Sequence, residues 1–176
     1  MTVEPRIRQV KREIRTLGVV AKRYKDGGSL IIGVVFRGGL YLDGVLKATT
    51  HDPDITNTMV EMIKSSPHYP QIRVLILHEA LIDEEVRIDP SQLYNEVKRP
   101  LILLSDGDFE GEHRPPINVL EVELGGKTVK VIPLGLRGRE AEKILMVTTR
   151  DGALPEPIRV ADLISSALIC LDEQKI

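Results

Sequence analysis

Apolar positions along this chain change their period twice. Between residues 14 and 50 they fall in three short runs, Ile14 to Ala21, Ser29 to Phe36 and Tyr41 to Thr50, broken by Lys25-Asp26-Gly27-Gly28 and by Gly38-Gly39. Runs of this length bounded by turn formers predict strands, and a two-glycine break predicts a hairpin, so the opening third reads as a three-stranded antiparallel meander. From Ile55 the spacing becomes helical. Met59, Val60, Met62 and Ile63 share one face, with Asp52 as N-cap and Pro53 in the first turn, and Ser66-Pro67 marks the end. Ile72 to Leu77 and Leu101 to Leu104 are continuous apolar runs, as in strands covered on both faces, with a short helix over Pro90 to Val97 between them. Val119 to Leu124 and Lys127 to Ile132 alternate on either side of Gly125-Gly126, a second hairpin signal. Helices follow over Arg139 to Thr148 and from Pro155, the last with Ile158, Ala161, Leu163, Ile164, Ala167 and Leu168 expected to be buried. The whole predicts an α/β fold: a mixed sheet in which a three-stranded antiparallel meander is followed by alternating strands and helices packed on its faces.

The stretch from Ser105 to Pro116 has turn formers and charge but no apolar period, and reads as an exposed loop. At 176 residues the chain suits a single domain spanning 1–176. Twenty-four basic against twenty-six acidic side chains leave a net charge of -2, so no whole-molecule field draws in a polyanion. A nucleic acid would have to be held by a local patch. Cys170 is the only cysteine and lies among apolar residues, which predicts a small buried side chain in a reducing setting. No apolar run approaches the roughly 18 residues of a membrane span, and the first residues lack a signal-peptide core, so a cytoplasmic protein with no membrane partner is expected.

Most chemistries find no support. The four histidines are scattered with no His-x-x-x-His or Cys-x-x-Cys spacing, which sets a dedicated zinc site aside. Neither glycine pair opens a helix or carries the lysine of a phosphate-binding loop, and neither Ser29 nor Ser105 lies in a nucleophile elbow. Carboxylates near strand ends remain. Asp43, Asp52, Asp54 and Glu79 converge if the first, third and fourth strands are neighbours, and metal-dependent nucleases need such convergence to hold Mg²⁺ or Mn²⁺. Each also has a structural reading: Asp52 and Asp54 suit helix capping, Asp43 before Gly44 suits a turn or bulge, and Glu79 suits a solvated loop.

Several segments resemble a known family. Glu13 to Gly18, Gly33-Val-Val-Phe-Arg-Gly-Gly39, Leu42-Asp-Gly-Val-Leu46, Met62 to Tyr69, Arg73 to Leu77 and Pro155-Glu-Pro-Ile-Arg-Val-Ala-Asp-Leu-Ile164 are similar to the archaeal domain-of-unknown-function ninety-nine family. This family is also called endonuclease dU and is related to endonuclease V. The resemblance runs from about residue 11 to 169. It implies a ribonuclease H-like fold and a Mg²⁺- or Mn²⁺-dependent endonuclease acting on deaminated bases in DNA. It also implies departures. Val20-Ala21 stand where the family carries paired aspartates, His78-Glu79 where it carries Asp-Gly, and Asp162 where it carries a histidine. The acidic run from Asp106 to Glu112 replaces a basic helical segment. What remains for a site is Asp52, His78, Glu79 and Asp162 as candidate catalytic groups, with Asp52 and Glu79 as candidate metal ligands. Tyr41, in a segment resembling the strand-wedging segment of endonuclease V, Arg37 and Arg159 are candidate nucleic-acid contacts.

Three readings follow. One is a family member with a degraded metal site, needing no cofactor, that persists as a non-catalytic or weakly active protein associated with DNA. The second is an active Mg²⁺- or Mn²⁺-dependent endonuclease with a rearranged ligand set. The third is an interaction or structural protein, a homo-oligomer without affinity for nucleic acid.

Overall fold

The computed structural model describes residues 7, 9–109 and 119–175. Its seven strands, β1 (Arg15–Tyr24), β2 (Gly28–Arg37), β3 (Tyr41–Thr50), β4 (Val74–Ile82), β5 (Leu101–Ser105), β6 (Leu120–Leu124) and β7 (Lys127–Leu134), form one sheet in the order β3-β2-β1-β4-β5-β7-β6. β1 pairs antiparallel with β2 and parallel with β4, β4 is parallel to β5, and β7 returns antiparallel between β5 and β6. The expected mixed sheet is thus present, antiparallel at both edges and parallel at its centre. Parallel neighbours need crossovers, and the helices α1 (Thr56–Lys64) and α2 (Pro90–Val97) supply them. The remaining helices are α3 (Gly138–Thr148) and α4 (Glu156–Glu173).

Alternation along the central strands divides the interior into two layers. Leu17, Val19, Ala21, Ile31, Leu75, Leu77 and Leu101 point to one face and pack with Met59, Ile63 and Leu93 of α1 and α2. On the other face Val74, Ile76, Ile102 and Leu104 meet Ile144 and Leu145 of α3, while Val20, Leu30, Ile32, Val34 and Phe36 lie under α4. β1, β2 and β4 are covered on both faces, which is why they read as unbroken apolar runs. At Gly18 the first turn of α4 lies directly on β1: a Cβ there would stand 2.5 Å from the carbonyl carbon of Pro157 and 2.6 Å from the nitrogen of Ile158.

Asp43 is the extra residue of a β-bulge, since Val35 pairs with Gly44 but Phe36 with Leu42. Its carboxylate accepts from Arg15 Nε and Arg37 Nη2, both at 2.9 Å.

Four expectations are corrected. Asp52 does not cap α1: its Oδ1 accepts from Asp54 N at 2.9 Å, and Asp54 Oδ1 in turn accepts from Thr56 N at 3.1 Å, so two successive side-chain turns lead in and the helix begins at Thr56. β4 does not end at Leu77. It runs on to Ile82, placing His78 and Glu79 inside the strand, because the edge of β1 is long enough to keep pairing with it. Leu163 (55% exposed) and Ala167 face outward, and Cys170 is exposed rather than buried. The apolar residues of α4 continue around most of its circumference, so periodicity alone does not say which side meets the sheet. The exposed-loop expectation for Ser105 to Pro116 concerns a stretch of which residues 110–118 lie outside the described residues.

Candidate functional site

The carboxyl ends of neighbouring parallel strands are where open α/β sheets build their crevices. Here those strands are β1 and β4. They run in register to Val19↔Leu77, and the next pair is Ala21↔Ile82, so His78 to Leu81 bulge away from β1 before Asp83 N returns to Ala21 O at 2.9 Å. The divergence opens a cleft of about 580 Å³ lined by Ala21, Lys22, Leu81, Ile82, Asp83 and Asp162.

At the root of this cleft the side chains are mostly apolar. Val20 is fully buried in a cluster with Leu30, Ile32 and Ala161, and Leu81 from the bulge packs against it. His78, on the same face of the sheet as Val74 and Ile76, is 2% exposed. Its Nδ1 accepts from Ala80 N at 3.2 Å, which assigns the neutral ring's proton to Nε2. Among the described residues Nε2 has no hydrogen-bond partner, and Asp106 Oδ1, just after β5, is 3.6 Å away. Burial therefore dominates and pushes the His78 pKa below its ordinary 6.5, with the charges of Asp106 and Glu79 opposing the shift.

This has a consequence for stability. A histidine held neutral in the fold but free to protonate when unfolded stabilises the native state above the unfolded pKa, and that stability is lost as pH falls below it. Thermal or urea unfolding followed from pH 7.5 downward is expected to show a loss that sets in below about 6.5, is no steeper than about 1.4 kcal/mol per pH unit, and levels off once the folded-state histidine also protonates. In His78→Leu this part of the pH dependence should vanish. An unchanged pH profile in the variant would assign the loss elsewhere.

The other candidate groups do not join His78. Glu79, the next residue, lies within the bulge and is half-buried. Asp162, on α4, is held by Lys22, whose Nζ lies 2.5 Å from Oδ1 and 2.7 Å from Ser166 Oγ. Asp52 follows β3, and the residues just after it, Pro53 to Ile55, bridge to Arg87 beyond the end of β4. Its carboxylate is exposed and bonded to Asp54 N. Among the described residues no group of three His, Cys, Asp or Glu side chains is arranged to hold a metal ion.

The nucleic-acid candidates sit elsewhere. Arg37, at the end of β2, is locked to Asp43 and lies over the ring of Tyr41, 5.1 Å from its centre, while Tyr41 itself is 52% exposed. Arg159 makes a bidentate pair with Glu156 of its own helix, at 2.9 and 2.7 Å, and remains 44% exposed. Leu81, which packs against the apolar cluster that holds Val20, and Asp106, which faces His78, were not singled out from the sequence. The slip between β1 and β4 that brings Leu81 in depends on long-range pairing, and no local pattern signals it.

Comparison with known proteins places this geometry in a family. The family model described as endonuclease dU matches residues 12–118. A UPF0215 protein of Methanosarcina mazei is 34% identical, over 90% of this chain and 92% of its own length, and one of Methanopyrus kandleri is 30% identical over 93% and 95%. Among solved structures, an Archaeoglobus fulgidus protein of unknown function aligns with a TM-score of 0.70 at 23% identity, covering 88% of this chain and 98% of its own. Human endonuclease V aligns at 0.66 with 12% identity over 91% and 86%. Endonuclease V of Ciona intestinalis, solved in complex with a DNA containing inosine, aligns at 0.64 with 13% identity over 88% and 84%. The likeness to endonuclease V is one of fold, and that fold is ribonuclease H-like. With the model match across most of the chain and these relatives along nearly all of it, the chain belongs to the endonuclease dU family.

Proposed function

We propose that this chain is an endonuclease V-like member of its family whose divalent-metal centre has been dismantled, leaving a non-catalytic or weakly active protein that associates with nucleic acid. The observation that carries the reading is the burial of Val20 in an apolar cluster at the divergence of β1 and β4. Mg²⁺ and Mn²⁺ need several convergent oxygen donors, and nuclease chemistry on a phosphodiester uses them to activate water and to offset charge. The residues present do not fit such an ion. An aliphatic side chain occupies the β1 position, Asp162 is neutralised by Lys22, Asp52 is exposed and bonded to Asp54 N, and among the described residues no three His, Cys, Asp or Glu side chains gather to hold an ion.

Inosine-containing DNA, bound by the Ciona protein, is the class of partner carried over to this chain. Arg159, 44% exposed beside Glu156, and the exposed ring of Tyr41 beneath Arg37, whose guanidinium it shares with Asp43, are the groups that backbone phosphates and bases would meet. In this reading the chain acts as one domain over residues 1–176 in the cytoplasm, and among the described residues no helix is long and apolar enough to cross a membrane.

The test uses duplex and single-stranded oligonucleotides carrying deoxyuridine or deoxyinosine. With Mg²⁺ or Mn²⁺ present, nicking is expected to stay at the level of a protein-free control. Retention of the oligonucleotide should fall steeply with salt, with a logarithmic slope of about -0.9 per duplex phosphate engaged. Metal-dependent nicking that disappears in Asp52→Ala or Glu79→Ala would overturn the reading in favour of a rearranged ligand set.

A further inference from the structure

We propose that the outward face of α4 is the seam of a homodimer, in which α4 of one copy packs antiparallel on α4 of the other. α4 buries Ile158, Ala161 and Ser165 against the sheet. On the opposite side, where a solvated helix normally carries charge, stand Leu163 at 55% and Leu171 at 56% exposed, with Ala167 and Cys170 also exposed. The spacing is that of a helix-pairing seam: Val160, half-buried at the flank where α4 meets its own core, Leu163, Ala167, Cys170 and Gln174 recur at alternating intervals of three and four. No charged residue interrupts those positions.

What identifies the occupant as a second copy is that the seam complements itself in both size and charge. Turned end for end about the level of Ser165, it sets Leu163 against the partner's Ala167, a large side chain over a small one, and Val160 against the partner's Cys170. In the same register Arg159, two heptads before Glu173, flanks the partner's Glu173, and the reverse contact closes the other end. Arg159 keeps 44% of its side chain exposed while bonded to Glu156, and Glu173 is exposed, so both are available at the rim. A phosphate-bearing ligand has no cation to meet within the seam itself, and a parallel pairing would set Arg159 against its own copy.

Sedimentation equilibrium of the full chain at high micromolar concentration is expected to give twice the chain mass. Leu163→Glu, a change at an exposed position, should give the single-chain mass with an unchanged melting profile at low concentration. The register is read by cross-linking. Val160→Cys should form a covalent dimer through Cys170 of the partner under mild oxidation, because within one helix these positions lie about 15 Å apart. Val160→Cys/Cys170→Ser should not. A monomeric wild-type chain overturns the proposal. So does a covalent dimer formed by Cys170 alone, and so does a Val160→Cys chain that dimerises without cross-linking.

Discussion

Val20→Asp, which puts on β1 the side-chain type that the family resemblance implies there, is expected to destabilise this protein by about 3–5 kcal/mol near neutral pH. Val20 is fully buried, its neighbours are Leu30, Ile32, Ala161 and Leu81, and the nearest cation on that face, Lys22, is already held by Asp162 and Ser166. A carboxylate introduced there has no compensating charge and must either stay ionised at full desolvation cost or take up a proton. Since domains of this size are stable by only about 5–15 kcal/mol, the urea midpoint should drop sharply, and recover in part at acid pH where the carboxyl enters neutral. The informative arm adds millimolar Mn²⁺. If the remaining donors are dispersed, the ion leaves the midpoint of Val20→Asp where it was. A rise specific to the variant would mean that Asp52, Glu79 or Asp162 still converge on the β1 position, and the dismantled-centre reading would fail.

Gly18→Ala, one turn of the strand earlier, is expected to cost about 3 kcal/mol, the upper part of the range for overpacking. The added methyl would meet the backbone of Pro157 and Ile158 at 2.5 to 2.7 Å, atoms that cannot rotate aside, so the first turn of α4 would have to lift from β1. Gly107→Ala serves as the control, because nothing lies within 4 Å of a Cβ there. Denaturation midpoints that move equally in the two variants would show that α4 is not seated on β1 as described. The consequence reaches beyond stability, since α4 carries both Asp162 at the cleft and the proposed dimer seam.

Much of the fold is legible in the sequence because the signals are local. Gly38-Gly39 and Gly125-Gly126 each mark a hairpin, and Gly38, Gly125 and Gly126 have the positive φ that such turns require. The continuous apolar runs of β1, β2, β4 and β5 announce burial on both faces. What escapes is the side of α4 that meets the sheet, and the continuation of β4 beyond Leu77, because both depend on a distant partner rather than on nearby residues. Arg37 reads from the sequence as a free cation, but the bulge at Asp43 ties it to a carboxylate six residues on.

By itself the sequence determined the kinds of element, their approximate limits, the family segments, and the aliphatic character of positions 20 and 21. Periodicity and turn chemistry act over a few residues and need no knowledge of the rest of the chain. Whether Asp52, His78, Glu79 and Asp162 meet was decided only by the tertiary structure. Strand order, the slip between β1 and β4, and the pairing of Lys22 with Asp162 are set by contacts between residues far apart in the chain, and among the described residues these contacts gather no three of the side chains into a group able to hold a metal ion.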